Sequence, residues 1–453
     1  MLKQWFNKTF IAQTSITPLI TFRIVFGVMM MVGTARFMAL GWINDHYVKP
    51  LFQFKYYGFE WVQTISESGI ITLHISLLIA SLLVVLGLFY RLNAIIVFVT
   101  FTYLELIDLT YYLNHYYFVS IIALLMIFVP ANRYLSLDVL RKPTLHCATV
   151  PGWCVNIFKL QLAIVYIFAG LIKINTDWLI YALPLKIWLP ANDKLFLIGP
   201  IFTYKITPYI FSWVGMLYDC TIVFWLLWPK TRWVAYISVI IFHVLTGILF
   251  QIGVFPVVMV GATLLFFSPQ WHQKVLWAMA RFLQPIQLQI IEKHKNNYYQ
   301  FPKLQQQFFA IALPLYFIFQ IAFPWRFLCY PGNMYWTEQG YRFGWRVMLM
   351  EKAATATFYI RDGVKGKKGE VFNSEFLNPH QEKQMAMQPD MILQYAHFLG
   401  NYYQQRGIKN PIVTAEIYVT LNAKPSKLYI DSALNLMTIK DGWGSKKWIK
   451  KYD

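Results

Sequence analysis

The sequence predicts a multi-spanning α-helical membrane protein with about nine transmembrane helices and a small C-terminal α+β domain. Of the 453 residues, 57% are hydrophobic and only 13% are charged, which is far more apolar than an average soluble domain. Apolar runs long enough to cross a bilayer also stop near residue 323, and mixed polar sequence follows. We therefore predict a transmembrane domain over 1–323, which would hold the candidate site, and a soluble domain over 324–453.

The predicted spans are apolar runs, most of them close to the roughly 17 to 25 residues that a bilayer crossing needs. The fourth and eighth are short for that purpose. No cleavable signal peptide is expected, because residues 1–15 are polar and basic and the first apolar run can be retained as a span. The nine runs are 19–40, 70–89, 94–113, 116–129, 155–172, 208–228, 233–250, 254–267 and 308–323.

The distribution of Lys and Arg predicts the orientation of these spans. With a cytoplasmic N-terminus, thirteen of them fall in the inner segments and, with Lys173 set aside as a helix-end residue, five fall in the outer loops, as the positive-inside rule requires. An odd number of spans then places the C-terminal domain outside the cytoplasm. Within the longest inner loop, residues 284–292 have the pattern of an interfacial helix.

The C-terminal domain is predicted to mix strands and helices. Alternating apolar residues indicate strands at 346–350, 356–360 and 412–421, and helical spacing indicates a helix at 389–405 that begins with Pro389. The domain is basic, with 18 Lys and Arg against 11 Asp and Glu. Acidic peptides and anionic lipid headgroups are the expected partners.

Several functional classes have no support in the sequence. The net charge of +19 is spread over loops and the C-terminal region, without a nucleic-acid-binding signature. The four cysteines show no metal spacing and no disulfide framework, and we expect no metal site. Phosphate-loop, zinc-protease and serine-hydrolase motifs are also absent from the sequence.

The strongest candidate for chemistry is Lys173, which stands at the end of the apolar run 160–172. An ionisable residue at membrane depth is a functional-site hypothesis, and burial of a lysine favours the uncharged amine, which can accept a proton. The alternative is a helix-end lysine that extends its charged group to the membrane surface.

Two further polar groups interrupt apolar helices on the predicted outer side. Asn114, His115 and Tyr116 offer a donor and acceptor pair among aromatic rings, which suits a planar quinone, although an interfacial aromatic belt would look the same. His243 and Gln251 lie near the outer end of another run. A buried histidine paired with a neighbouring polar group is the simpler explanation for His243.

After the last span, aromatic residues alternate with small and polar ones over 336–345. Trp336, Tyr341 and Trp345 could hold a peptide over the helices. The same pattern would equally fit a packed lid of the soluble domain.

Taken together, the motifs of this chain resemble the vitamin K-dependent gamma-glutamyl carboxylase family, whose membrane part is called the horizontally transferred transmembrane domain. The similar stretches run in the same order from the first span into the soluble domain, and the absence of glycosylation sequons on the predicted outer side favours a prokaryotic member. They are FRIVFG at 22–27, LGLFYR at 86–91, Asn114 to Tyr116, PANRYLSLD at 130–138, AGLIKINTDW at 169–178, FQIGVF at 250–255, SPQW at 268–271 and the aromatic spacing of 336–345.

The resemblance implies an enzyme that oxidises reduced vitamin K (phylloquinol or menaquinol) with O2 to an epoxide and uses that reaction to add CO2 to peptide glutamate. It implies that Lys173 is the catalytic base and that Asn114 and His115 assist at the quinol. Tyr116, His243 and Gln251 are the expected quinol contacts, and Trp336, Tyr341 and Trp345 the expected peptide contacts. The alternatives are a quinol epoxidase with another acceptor and a non-enzymatic transporter.

Overall fold

Each of the nine predicted apolar runs contains a helix in the computed structural model, which describes residues 4, 6–250, 252–279, 281 and 297–452. The predicted interfacial segment 284–292 and the candidate ligand contact Gln251 lie outside the described residues. The helices are α1 (Thr17–Ala39), α2 (Glu67–Leu86), α3 (Tyr90–Leu106), α4 (Asn114–Phe128), α5 (Trp153–Leu171), α6 (Thr207–Leu227), α7 (Arg232–Phe250), α8 (Phe255–Thr263), α9 (Pro269–Met279) and α10 (Lys303–Ala322).

Six of these helices are long and apolar enough to cross a membrane, within the part of the chain that the structure describes. They are α1, α2, α5, α6, α7 and α10, and α10 continues as a 3₁₀ turn, Phe323–Cys329. Helices α4 and α8 are apolar but shorter, while α9 follows the eighth apolar run and lies within the predicted inner loop. The protein is thus a multi-span helical membrane protein, and the total of nine crossings stays a prediction.

Buried polar contacts join the membrane helices to one another. The Arg23 guanidinium of α1 donates to the backbone oxygens of Ala131 (2.7 Å), Leu135 (2.6 Å) and Val85 (3.2 Å). These bonds tie α1 to the end of α2 and to the turn after α4. A short antiparallel pair, β1 (Gln13–Ser15) with β2 (Thr149–Pro151), joins the starts of α1 and α5.

The described residues after α10 include a one-turn helix (Met334–Thr337), a four-stranded antiparallel sheet and two longer helices. The sheet order is β4 (Lys368–Val371), β3 (Lys352–Arg361), β5 (Ile412–Leu421) and β6 (Lys427–Leu428), and the helices are α11 (Pro379–Met387) and α12 (Pro389–Gln405). Alternate residues of β5 are fully buried beneath α12: Val413, Ala415, Ile417 and Val419. The predicted helix at 389–405 and the strand at 412–421 are confirmed at both boundaries.

The strand predicted at 346–350 is wrong, because this stretch is irregular and β3 begins only at Lys352. Met348 has a positive φ of 53°, and Trp345 just before the stretch has one of 58°. An L-residue in the left-handed region interrupts the extended backbone that a ladder needs. Both Trp345 and Arg346 are buried, so the apolar alternation here reflects packing of a loop.

The C-terminal region is attached to two turns of the membrane part. Gln381 of α11 donates to Asp108 in the α3–α4 turn (2.8 Å), and Asn422 donates to Asp177 in the turn after α5 (2.9 Å). Both turns were predicted to lie on the outer side. The two candidate regions around His115 and Lys173 are therefore covered by the same part of the chain.

Candidate functional site

Lys173 lies in the turn that follows α5, and its amine is buried. Nζ donates to Asp219 Oδ2 at 2.6 Å and to the backbone oxygen of Ala169 at 3.0 Å. The two charged side chains are only 9% and 6% exposed, so this lysine does not extend to a membrane surface. A carboxyl group, that of Asp219, shares the buried site of this amine.

Close packing of α5 against α6 brings the two charges together. A side chain at Gly170 would come within 2.5 Å of Cys220 Sγ and 2.7 Å of the Cys220 backbone nitrogen. Only glycine allows this approach, which sets Asp219 beside Lys173. The turn after Lys173 is fastened to α6 as well, since Trp178 Nε1 donates to the Ser212 oxygen at 2.9 Å.

Asp219 is the functional candidate that the sequence analysis missed. It stands inside the apolar run 208–228, so the reasoning that selected Lys173, an ionisable group at membrane depth, applies equally to it. Its partner is 46 positions away in the sequence, and no local spacing could reveal the pairing.

A cavity of about 1120 Å³ lies between the outer ends of the membrane helices and the C-terminal region. Its wall includes Asn114, His115 and Tyr116 of α4 from the membrane side. Tyr341 and Arg342 belong to its wall from the C-terminal side. The cavity thus brings together three predicted quinol-site residues and one predicted peptide contact.

His115 is buried and makes no hydrogen bond to any described residue. The centroid of its ring lies 4.6 Å from that of Tyr116 and 5.6 Å from that of Phe255. Asn114 is held in place, because its amide donates to the Arg346 oxygen (2.6 Å) and accepts from the Tyr112 hydroxyl (2.9 Å). An imidazole with free bonding capacity, a fixed amide and aromatic walls fit a planar ligand with polar oxygens.

His243 does not line this cavity. Its Nε2 is 3.0 Å from the Tyr166 hydroxyl, and its ring lies 5.5 Å from Phe255, which separates it from His115. The simpler interpretation, a buried histidine with a polar neighbour, describes what the structure shows. Its role as a quinol contact, like that of Gln251 outside the described residues, stays a prediction.

Lys173 and His115 do not share a cavity among the described residues. The neighbours Ile172 and Ile174 line a second, smaller cavity of about 380 Å³, and Arg346 borders both. A series of contacting side chains leads from Asp219 towards His243. Tyr218 precedes Asp219 in α6, its ring is 6.1 Å from that of Tyr166, and the Tyr166 hydroxyl reaches His243.

The three predicted peptide contacts have different surroundings. Trp336 is packed against Tyr429 and Tyr452, and its Nε1 donates to the Lys450 oxygen at 2.8 Å. Trp345 lies 5.0 Å from the Tyr117 ring and is equally buried. Both tryptophans are packing residues here, and Tyr341 alone of the three lines the large cavity. Contact with a peptide stays a prediction for all three.

Two cationic side chains on the C-terminal side of the cavity are each paired with a carboxylate. Arg342 is ion-paired with Asp390, and Lys352 with Glu338 at 2.8 Å. Burial acts to lower the pKa of Arg342, but Asp390 outweighs it and raises that pKa above its ordinary value. Burial raises the pKa of the Tyr341 phenol, so this hydroxyl remains a hydrogen-bond donor at neutral pH.

Helices that span a membrane, an outer cavity and a buried ion pair define this chain as an integral membrane protein with an enclosed polar site. The HTTM domain model matches residues 12–271, and the model of the vitamin K-dependent gamma-carboxylase lumenal domain matches residues 305–453. The chain belongs to the vitamin K-dependent gamma-carboxylase family. No solved structure matches the chain.

Membership confirms the resemblance found in the sequence. It implies a carboxylase-type enzyme that uses reduced vitamin K, O2 and CO2 on a glutamate-containing substrate. The second model is that of a lumenal domain, in agreement with an extracytoplasmic C-terminal region.

Proposed function

We propose that this chain couples oxidation of reduced vitamin K by O2, which forms the epoxide, with addition of CO2 to the γ-carbon of peptide glutamate. The observation that carries the proposal is the buried Lys173–Asp219 pair in a chain of this family. The large cavity under the C-terminal region, with Asn114, His115 and Tyr116 in its wall, supports it.

A glutamate γ-hydrogen is too weakly acidic for any protein side chain to remove. Bound reduced vitamin K would supply, through its oxidation by O2, the strong base that this step needs. The task left to the protein is to accept a hydroxyl proton, to orient the reacting groups and to exclude water.

The Lys173–Asp219 pair is suited to accept such a proton. At rest the amine and the carboxyl group together carry no net charge, and one more proton leaves both groups protonated with a net charge of +1. In a site of low dielectric this positive charge stabilises an anion formed beside it. The burial of both side chains keeps bulk water from competing for the proton.

On the cavity side, His115 has free hydrogen-bonding capacity for a ligand oxygen. Asn114 is locked by its bonds to Arg346 and Tyr112, so its remaining N–H and lone pair have a fixed direction. Tyr116 contributes an aromatic wall. We further propose that the N-terminus is cytoplasmic, so that the peptide enters the cavity from the extracytoplasmic side.

The test uses purified protein in liposomes with reduced vitamin K, labelled bicarbonate and a glutamate-rich peptide. Wild-type protein should fix label into the peptide and form epoxide. The Lys173→Ala variant should lose both activities by about 10² to 10⁴-fold, the usual contribution of a general base. Small amines added to this variant should restore part of the rate.

Lys186→Ala is the matched control, because it removes an exposed lysine of the following loop and should keep wild-type rates. Membrane insertion and the elution profile of each variant establish that it is folded. Epoxide formation without label in any peptide would identify a quinol epoxidase with another acceptor. Failure of folded wild-type protein to form either product contradicts the proposal.

A further inference from the structure

Arg346 is a buried cation at the junction of the two cavities. The residue is 2% exposed, and it borders both the large cavity with Asn114 and His115 and the smaller one beside the Lys173 turn. Its backbone oxygen accepts the Asn114 amide at 2.6 Å. The backbone of this arginine is thus bonded directly to Asn114, which with His115 is predicted to assist at the quinol.

Among the described residues, the hydrogen-bond partners of the guanidinium are all backbone oxygens, and its Cζ lies 4.7 Å from the centroid of the Phe327 ring. Nη1 donates to the oxygens of Gly340 (3.0 Å) and Tyr341 (3.2 Å), and Nη2 donates to the oxygen of Pro324 (2.8 Å). The buried Nε has no hydrogen-bond partner among the described residues. Gly344 is required beneath it, since a side chain there would lie 1.7 Å from Nη1.

No carboxylate of the described residues lies within ion-pair distance of Arg346, in contrast to the other buried cations at this cavity. Arg342 is paired with Asp390, and Lys352 is paired with Glu338. Burial lowers the pKa of Arg346, whereas Asp390 raises the pKa of Arg342. An arginine nevertheless stays charged at neutral pH, so this positive charge has no counter-charge among the residues that the structure describes.

Arg23 shows what the same arrangement looks like in a purely structural role. It also donates to three backbone oxygens and is also buried, but it borders neither cavity. Carbonyl bonds alone are therefore sufficient to seat an arginine in this fold. What distinguishes Arg346 is its access to the cavities and its contact with Asn114.

We propose that Arg346 is the anchor for the γ-carboxylate of the substrate glutamate. The inference rests on the proposed function and names the residue that selects its substrate. A carboxylate brought into the cavity would supply the missing counter-charge, and a guanidinium binds a carboxylate through charge-assisted hydrogen bonds. The hydrogen bond between Asn114 and the Arg346 backbone would then keep the bound glutamate side chain close to Asn114 and His115.

The experiment measures binding of two peptides to the full-length protein in nanodiscs, without quinol or bicarbonate. One peptide carries glutamate at the target position, and the other carries glutamine there. A charge-assisted hydrogen bond predicts that the wild-type protein prefers the glutamate peptide by about tenfold to about a hundredfold. The preference should persist at high salt, because a buried contact is little screened.

In the Arg346→Gln variant this preference should fall to about one, and Arg346→Lys should give an intermediate value because lysine cannot form the bidentate contact. Arg23→Lys is the matched control, and it should keep the wild-type preference. If Arg346→Gln cannot be purified in a folded state, the wild-type ratio and the Arg346→Lys ratio decide the question.

Equal binding of the two peptides by the wild-type protein, or an unchanged preference in either Arg346 variant, overturns the inference. The proposed function is judged separately by label fixation. If label is fixed but the two peptides bind equally, the role of Arg346 is refuted and the proposed function is not. If the protein prefers the glutamate peptide but forms neither epoxide nor labelled peptide, the carboxylase proposal is refuted and the role of Arg346 as a carboxylate anchor stands.

Discussion

From the buried Lys173–Asp219 pair we predict how much the free energy of unfolding falls when one partner is removed. The two atoms are 2.6 Å apart, and both side chains are nearly inaccessible to water. In an Asp219→Asn variant the Lys173 ammonium would retain the Ala169 oxygen but no counter-charge. Removal of one partner of a buried pair costs about 3 to 5 kcal/mol, because an uncompensated charge is left behind.

The assay is equilibrium unfolding in bicelles by SDS titration, with the free energy of unfolding compared between variants. Asp45→Asn is the matched control, because Lys49 and Asp45 are also 2.6 Å apart but their side chains are 64% and 55% exposed. This exposed pair is screened by water, so no resolvable change is expected.

A double variant, Lys173→Met with Asp219→Leu, separates the lost pair from general damage to the packing. Replacement of both charges by apolar side chains of similar size should recover most of the stability, although it should not recover activity. The reasoning is refuted if Asp219→Asn unfolds like the wild type, or if the double variant is as unstable as the single one.

Two further predictions concern packing and pH. Trp345→Ala should lower the free energy of unfolding by about 3 to 5 kcal/mol, as expected for deletion of a fully buried tryptophan. A loss close to zero in the same SDS titration would show that Trp345 is not a packing residue. His46 stacks on Tyr111 at 3.8 Å, and burial lowers its pKa to about 4. Because the unfolded imidazole takes up its proton at about pH 6.5, stability should be complete above that pH and should decline towards pH 4. His46→Phe should flatten this part of the pH profile, and an unchanged slope would contradict the assignment.

Much of the membrane part could be predicted from the sequence, because length and apolarity directly determine which segments can cross a bilayer. Helix α5, predicted at 155–172, begins at Trp153 and ends at Leu171. The end of helix α3 was predicted at residue 113, seven residues beyond its actual end at Leu106, because the apolar run continues into the 107–113 turn. There the Asp108 carboxylate accepts from Thr110 and stabilises the turn.

The C-terminal region shows where pattern reasoning fails. The alternation of β5 reflected a real buried face, whereas that of 346–350 belonged to a loop. In β5 every second residue is buried, whereas Arg346 and Leu349 are buried with two half-buried residues between them, so 346–350 has no two-residue period of burial. The left-handed backbone at Trp345 and Met348 interrupts an extended strand here, and no residue-type pattern predicted it.

By itself the sequence determined that this protein is built into a membrane, that Lys173 and His115 stand at the ends of apolar helices, and which family the chain belongs to. These properties depend on composition, order and short motifs, which are local. The tertiary structure alone decided that Lys173 is paired with Asp219 and that Trp336 and Trp345 are packed. It also decided that Arg346 borders two cavities and has no carboxylate partner in the part of the chain that the structure describes. Each of these depends on contacts between distant segments, and the free energy of a buried charge or ring is set by those neighbours.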